Sequence, residues 1–166
     1  MGNNAYRPKK LAYAGVLAAF VFIATQIRIP TAIGYINLGD GVILISAFLL
    51  GPVAFFPAAI GSALSDLIAG YAQYIIPTFI IKGLMGYAAG TGLRKMKITL
   101  LKKIIIGIIS EIIMIAGYFL FESLPFMYGW QAAAGSVFFN AIQGIAAVII
   151  FVTVTSIPAV NRNSVI

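Results

Sequence analysis

Residues 35–90 read YINLGDGVILISAFLLGPVAFFPAAIGSALSDLIAGYAQYIIPTFIIKGLMGYAAG, and this stretch decides the fold class. It is apolar over most of its length, yet it contains Asp40, Asp66 and Lys82. An ionisable side chain at membrane depth is energetically expensive, so it usually faces a partner, a cavity or a substrate. Gly and Pro residues divide the run into pieces that are short for membrane spans. The stretch therefore predicts a compact bundle of membrane helices with a polar pocket.

The composition of the whole chain supports the same class. Of its 166 residues, 61% are hydrophobic and only 9% are charged, whereas a soluble domain carries about 25% charged residues. The chain has no Cys and no His, which excludes disulfides, thiolate metal sites and the commonest general base. We therefore expect an integral membrane protein that is not an enzyme and has no metal site. We expect no nucleic-acid partner either, because the basic residues flank the apolar runs.

The positions of the basic residues predict the topology. They form clusters before the first apolar run, after Gly90 and after the last run: Arg7, Lys9, Lys10, Arg94, Lys95, Lys97, Lys102, Lys103 and Arg162. The positive-inside rule places these clusters in the cytoplasm, so the segment between the first two crosses an odd number of times. Three short helices fit that segment, and a re-entrant hairpin in place of one pair is the alternative.

The sequence thus predicts one all-α domain over residues 1–166, with both termini in the cytoplasm. It is a compact six-transmembrane-helix bundle, multi-pass in the plasma membrane. The predicted helices cover residues 10–29, 38–51, 54–70, 76–92, 104–122 and 131–158.

Four ionisable residues fall in the outer third of this predicted bundle: Arg28, Asp40, Asp66 and Lys82. One interpretation is internal pairing, Arg28 with Asp40 and Asp66 with Lys82, since neutralised pairs are the cheapest state at that depth. The other is ligand binding, for which Lys82 inside its helix is the strongest candidate. Both interpretations stay open at the level of sequence.

Deeper polar residues are predicted on the last two helices. Glu111 lies on the fifth helix, and Asn140 and Gln143, three residues apart, share a face of the sixth. They fit either hydrogen bonds between helices or a site for a neutral, polar heterocycle.

Aromatic residues gather at the outer helix ends, where they serve as an interfacial belt or stack on an aromatic ligand. The loop at residues 30–37, which contains Gly34, is the predicted lid. The predicted substrate-binding residues are Asp66, Tyr74, Lys82, Glu111, Tyr118, Trp130, Asn140 and Gln143.

Four segments in order resemble a known family. They are residues 14–18 (AGVLA), 37–40 (NLGD), 50–52 (LGP), and 61–70 (GSALSDLIAG) followed by 77–83 (PTFIIKG). The chain resembles the substrate-binding membrane subunits, or S components, of energy-coupling factor (ECF) transporters, which import vitamins in prokaryotes. The resemblance covers nearly the whole chain.

This resemblance implies partners. A transmembrane coupling subunit would dock on Ala14, Gly15 and Ala18, and two cytoplasmic ATPase subunits would supply energy. No cofactor is expected on the chain itself, because it lacks the phosphate-binding motif Gly-x-x-x-x-Gly-Lys-Ser/Thr. The resemblance is to the branch for hydroxymethylpyrimidine or pyridoxine, with pantothenate as the competing substrate. A stand-alone proton-coupled carrier, using Glu111 or Asp66, is the alternative from a different class.

Overall fold

The computed structural model describes residues 6–31, 34–94 and 98–160, with side chains from residue 8 onward. Over these residues it contains six α-helices: α1 (Tyr6–Gln26), α2 (Gly39–Leu50), α3 (Phe55–Ile68), α4 (Ile75–Arg94), α5 (Leu100–Glu122) and α6 (Gly129–Thr155). Two antiparallel strands, β1 (Arg28–Pro30) and β2 (Tyr35–Asn37), form a hairpin between α1 and α2. Of the predicted topology signals, Lys95, Lys97, Arg162 and the side chain of Arg7 lie outside the described residues.

The outer surface of the bundle is apolar. Large hydrophobic side chains such as Phe20 on α1, Ile112 on α5 and Ile145 on α6 are more than half exposed. Four segments are long and apolar enough to cross a membrane: Pro8–Gln26, Gly39–Ile68, Leu100–Glu122 and Gly129–Thr155. An apolar surface of this extent suits lipid and not water. The protein is therefore a multi-pass, mainly helical membrane protein.

The long apolar segment Gly39–Ile68 folds back on itself at Gly51. Helices α2 and α4 run in the same direction, since Asp40 meets Lys82 and Gly51 lies against Gly90. Helix α3 runs the opposite way, because Phe55 at its start lies against Gly83 and its last turns lie near the beginning of α4. The reversal uses Gly51, whose φ of 64° is strained for other residues, followed by one 3-10 turn at Gly51–Ala54.

Helix α4 is the centre of the bundle and packs against α2, α3 and α5. Its glycines allow this close approach: a Cβ on Gly86 would lie 2.7 Å from the carbonyl oxygen of Ala54. Buried apolar side chains fill the space between the helices, among them Ile43, Met85, Met114 and Phe151. Small residues and interdigitating side chains are the usual basis of helix association in membranes.

The two ends of the bundle differ in character. The hairpin end carries the β-hairpin, the start of α2 and the connection between α3 and α4. At the opposite end Ala14 packs near Leu50, and the Lys103 ammonium donates to the Thr155 carbonyl oxygen at 2.7 Å. A cation there is favourable because Thr155 is the last residue of α6, whose carbonyl groups lack helical partners.

The hairpin is the main departure from the predicted elements. The first helix was predicted to reach residue 29, but α1 ends at Gln26 and residues 28–30 pair with residues 35–37. The helix begins earlier than predicted, at Tyr6, because Pro8 falls in its first turn, where a missing N–H costs nothing.

Candidate functional site

A polar cavity lies inside the hairpin end. The space between its lining atoms is about 510 Å³, a volume that includes its opening to the outside. All the helices except α2 contribute side chains to it, together with the hairpin. The lining residues are Thr25, Gly34, Tyr35, Asn37, Ser62, Asp66, Tyr71, Tyr74, Thr78, Lys82, Tyr118, Glu122, Asn140 and Gln143.

The second strand of the hairpin closes one side of this cavity. The Tyr35 hydroxyl donates to Asp66 Oδ1 at 2.6 Å, and the Asn37 backbone N–H donates to Gln143 Oε1 at 2.7 Å. The Tyr35 ring also meets the Tyr71 ring edge-on, with centroids 5.2 Å apart. These contacts attach the hairpin to α3 and α6. The lid assignment for residues 30–37 stays a prediction, and residues 32 and 33 of that loop lie outside the described part of the chain.

Tyr35 stays a hydrogen-bond donor at any physiological pH. Burial, together with the negative charge of the neighbouring Asp66, holds the pKa of the Tyr35 hydroxyl well above its ordinary value of 10.0. The Arg28 guanidinium lies over the Tyr35 ring, 5.1 Å from its centroid, and its charge acts in the opposite direction but is weaker.

The cavity-lining residue Lys82 forms a buried ion pair. The Lys82 ammonium donates to Asp40 Oδ1, and the Gln143 amide donates to Asp40 Oδ2. Asp40 is fully buried and Lys82 is 3% exposed. The network joins α2, α4 and α6. Both carboxylate oxygens of Asp40 have partners, which offsets the desolvation cost of burying the charged pair.

The predicted pairs were therefore wrong. Asp40 pairs with Lys82, whereas Arg28 donates to Gln26 Oε1 and contacts the Tyr35 ring. Asp66 accepts from Tyr35 and makes no ion pair among the described residues. The physical reason is the direction of α2 and α4: because they run parallel, the first turn of α2 lies beside the middle of α4.

Glu111 lies beneath this network without a hydrogen bond. It is 4% exposed on α5, and neither carboxylate oxygen has a hydrogen-bond partner among the described residues. Its side chain packs on Gly144 of α6, and Asp40 and Lys82 are the charged groups that act on it. It does not line the cavity, so the structure does not bring it to a ligand.

Replacing Glu111 with Gln is expected to keep the stability of the protein or raise it by up to about 1 kcal/mol, because a buried acidic group without a hydrogen-bond partner loses no hydrogen bond when a neutral amide of the same shape replaces it. For a chain of this size each kcal/mol raises the melting temperature by about 2–4 °C, which thermal unfolding of the purified protein measures. Glu122→Gln is the matched control.

Glu122 should respond in the opposite direction because both of its oxygens accept hydrogen bonds. Tyr74 donates to Oε1 at 3.0 Å, and the Ser136 hydroxyl donates to Oε2. An amide in its place turns its NH2 group toward one of these hydroxyl groups, which must then accept a hydrogen bond in place of donating one. If Glu111→Gln lowers the melting temperature as much as Glu122→Gln does, the interpretation of Glu111 is wrong.

Three tyrosines form an aromatic wall. The Tyr74 ring lies between Tyr71 and Tyr118, with centroid distances of 6.2 Å to each. The Tyr118 hydroxyl is 3.0 Å from the Thr78 hydroxyl, and Lys82 lies 5.3 Å from the centre of the Tyr118 ring. A flat ligand ring would find both an apolar face and hydroxyl groups here.

Six of the eight predicted substrate-binding residues line the cavity: Asp66, Tyr74, Lys82, Tyr118, Asn140 and Gln143. Trp130 does not, because it is 64% exposed at the start of α6, so its prediction as a substrate-binding residue is not supported by the structure. Its position at a helix end suits an interfacial anchor.

The cavity also contains residues that were not predicted from the sequence as site residues. Tyr35 and Asn37 belong to a loop that was treated only as a lid, and Glu122 was noted only as a helix end. One signal was available for Glu122: it is one of four carboxylates in the chain and it ends an apolar helix.

The predicted docking residues lie on α1 at the other side of the molecule. Ala14 is buried, 7% exposed, in a cluster with Leu17 and Leu50, and Ala18 is half-buried against α3. Gly15 is exposed, and no atom lies within 4 Å of where its Cβ would be. The outward-facing member of the predicted set is therefore Gly15.

A polar, tyrosine-lined cavity closed by a hairpin at one end of a helical bundle defines a small-molecule-binding membrane protein. The sequence profile of the family described as ECF-type riboflavin transporter, S component, matches residues 6–159. The chain belongs to this family, and the resemblance inferred from its motifs is confirmed.

Two curated relatives extend the comparison. The thiamine precursor transporter HmpT of Lactococcus lactis subsp. cremoris is 29% identical over 163 residues, which cover 95% of this chain and 91% of HmpT. An uncharacterised protein of Pyrococcus woesei is 34% identical over 128 residues, covering 75% of this chain and 82% of that protein.

Proposed function

We propose that this chain is the substrate-binding membrane subunit of an ECF-type importer, and that it takes up a vitamin or vitamin precursor. Hydroxymethylpyrimidine and pyridoxine are the first candidates. The observation that carries the proposal is the polar cavity with its aromatic wall, in a chain that matches the S-component family over residues 6–159. The name of the relative HmpT favours a thiamine precursor, and the family description adds riboflavin to the candidates.

The charges around the cavity disfavour an anionic substrate. Asp66 and Glu122 both line it, whereas its lining ammonium, Lys82, is already paired with Asp40. A carboxylate ligand would enter a site in which acidic groups outnumber free cations. Pantothenate, which carries a carboxylate, is therefore the weaker candidate.

The proposed topology has six membrane crossings with both termini in the cytoplasm. The alternating helix directions support it, because they place the start of α1 and the end of α6 at the same end of the bundle. The basic residues Arg94, Lys102 and Lys103 belong to that end as well, as the positive-inside rule requires of the cytoplasmic side. The cavity then opens to the outside of a prokaryotic plasma membrane.

ATP hydrolysis is assigned to partner subunits. We expect a transmembrane coupling subunit to contact the exposed face of α1 and two cytoplasmic ATPases to drive transport, while this chain binds no ATP and catalyses no reaction. Small residues on α1 permit the close approach of another helix.

Gly15→Trp is expected to abolish uptake in cells that contain the complete transporter, because a large side chain blocks a partner helix at the exposed face of α1. Ligand affinity of the purified subunit should stay within about twofold, since Gly15 lies outside the cavity. Uptake assays and calorimetric titration measure the two effects. Gly135→Trp, at an equally open glycine on α6, is the control. Retained uptake in the Gly15→Trp variant would show that the docking face is elsewhere.

The function itself is tested by titrating the purified protein with hydroxymethylpyrimidine, pyridoxine, pantothenate and riboflavin. Calorimetry is preferable to tryptophan fluorescence because Trp130 does not line the cavity. Saturable binding of one compound at nanomolar to low micromolar concentration supports the proposal. Absence of binding by all four, with the protein folded, counts against it.

One observation favours a second function, a stand-alone proton-coupled carrier. Glu111 is a buried carboxylate without hydrogen bonds among the described residues, which is typical of a group that carries a proton. Such a carrier would transport substrate in cells that lack the ATPase subunits and would lose transport in the Glu111→Gln variant. An S component requires the ATPases and tolerates that change.

A further inference from the structure

Asp66 is the acidic residue of the cavity lining that has unused hydrogen-bonding capacity. Oδ1 accepts from Tyr35, whereas Oδ2 has no hydrogen-bond partner among the described residues. The Thr78 hydroxyl also lies near the carboxylate, and it shares a hydrogen bond of 3.0 Å with the Tyr118 hydroxyl in which either group can be the donor. By contrast, both oxygens of Glu122 accept hydrogen bonds. A buried acceptor without a partner is costly, so a ligand that donates to it gains affinity.

A second unpartnered group lies on the same wall. Ser62 precedes Asp66 by one helical turn on α3, so the two side chains share a face. The Ser62 hydroxyl is also buried without a hydrogen bond in the described residues, and it lines the cavity. Ser62 and Asp66 therefore give the α3 side of the cavity a polar surface with unused hydrogen-bonding groups. Tyr71 and Tyr74, on the connection that follows α3, form part of the aromatic wall.

This combination fits a particular ligand chemistry. The tyrosine faces suit a flat aromatic ring, and the acidic edge suits hydrogen-bond donors on the rim of that ring. We propose that Asp66 selects an uncharged or cationic aromatic heterocycle by accepting an N–H from its exocyclic amino group. The proposal deepens the proposed function and rests on it. A ring that carries a carbonyl oxygen at the same place would turn lone pairs toward the carboxylate and be rejected.

The test compares two probes on the purified full-length protein. One is hydroxymethylpyrimidine, which carries an amino group, and the other is its analogue in which a carbonyl oxygen replaces that group. The protein should bind the amino compound at least about tenfold more tightly, as expected when the mismatch leaves buried polar groups unpaired. In Asp66→Asn, whose side-chain amide can donate, the preference should reverse toward the oxo compound.

Tyr35→Phe is the control variant. It removes the hydrogen bond to Asp66 Oδ1 and weakens the closure of the hairpin, but it leaves the carboxylate in place. We expect it to weaken both probes by a similar factor and to keep the preference for the amino compound. The ratio of the two affinities thus separates ligand selection by Asp66 from a structural role in holding the hairpin.

Two results would overturn this assignment. The first is an Asp66→Asn variant in which the ratio of the two affinities is the same as in the native protein. The second is a native protein that binds neither pyrimidine. If neither pyrimidine binds, titration with riboflavin and pantothenate tests the proposed function. Binding of either compound supports a substrate-binding subunit with a different ligand, and binding of neither contradicts both proposals.

Discussion

Lys82→Met is expected to destabilise the protein by about 3–5 kcal/mol, the usual cost of removing one partner of a buried ion pair. The Asp40 carboxylate, which is fully buried, would keep only its hydrogen bond from Gln143. Glu111, whose oxygens already lack hydrogen bonds in the described residues, would lose the positive charge nearby. The ionised Asp40 would then remain inside the bundle without its counter-charge, beside a second acidic side chain. Thermal unfolding of the purified variant measures the loss.

The double variant Asp40→Asn/Lys82→Met distinguishes the ion pair from simple loss of packing. It removes both charges together, so it should be clearly more stable than Lys82→Met alone, as replacing a buried pair by neutral groups often costs little. Lys102→Met, at a partly exposed lysine at the opposite end of the bundle, should change stability by less than about 0.5 kcal/mol. If Lys82→Met is as stable as the native protein, the buried network does not contribute as described.

Gly90→Ala is expected to destabilise the bundle by about 3 kcal/mol or more, at the upper end of overpacking effects. A Cβ at this position would lie 2.1 Å from the carbonyl oxygen and 2.2 Å from the carbonyl carbon of Gly51. These are backbone atoms of the reversal between α2 and α3, so they cannot rotate away as a side chain would. Helix α4 would have to move. We expect thermal unfolding to show a melting temperature lowered by roughly 10 °C.

Gly135→Ala is the matched control for this prediction. It makes the same substitution within a helix, at a glycine whose Cβ would meet no atom within 4 Å. Alanine favours helix over glycine by about 1 kcal/mol, so this variant should be neutral or slightly stabilising. Equal behaviour of Gly90→Ala and Gly135→Ala would contradict the close contact between α4 and the Gly51 turn.

The helical class could be predicted because hydropathy is a local property of the chain. Apolar runs of about 20 residues need no tertiary contact to be recognised, and the breaks at Gly51 and Gly70 punctuate them. The hairpin at residues 28–37 was missed because each strand has only three residues and no alternating pattern of its own. Such short strands are stabilised by contacts such as that between Tyr35 and Asp66, which sequence does not show.

The sequence could predict which polar residues belong to the candidate site, but not which residues they pair with. Lys82, Asp66 and Gln143 stood out because polar groups in apolar helices are rare, and the structure brings all three to one cavity. Their pairing was not predictable, since Asp40 with Arg28 and Asp40 with Lys82 are equally neutral by charge. Glu111 shows the same limit, because its depth on α5 matched the site while its orientation places it beneath the cavity.

The sequence by itself determined that the chain is a multi-pass helical membrane protein of the S-component family, because composition, basic flanks and short motifs are properties of the linear chain. Only the tertiary structure decided that Asp40 pairs with Lys82, that Asp66 keeps one oxygen free and that Gly15 faces outward. These facts depend on the rotation of each helix about its axis and on the direction of its neighbours. Both are fixed by packing between residues as far apart as Asp40 and Gln143.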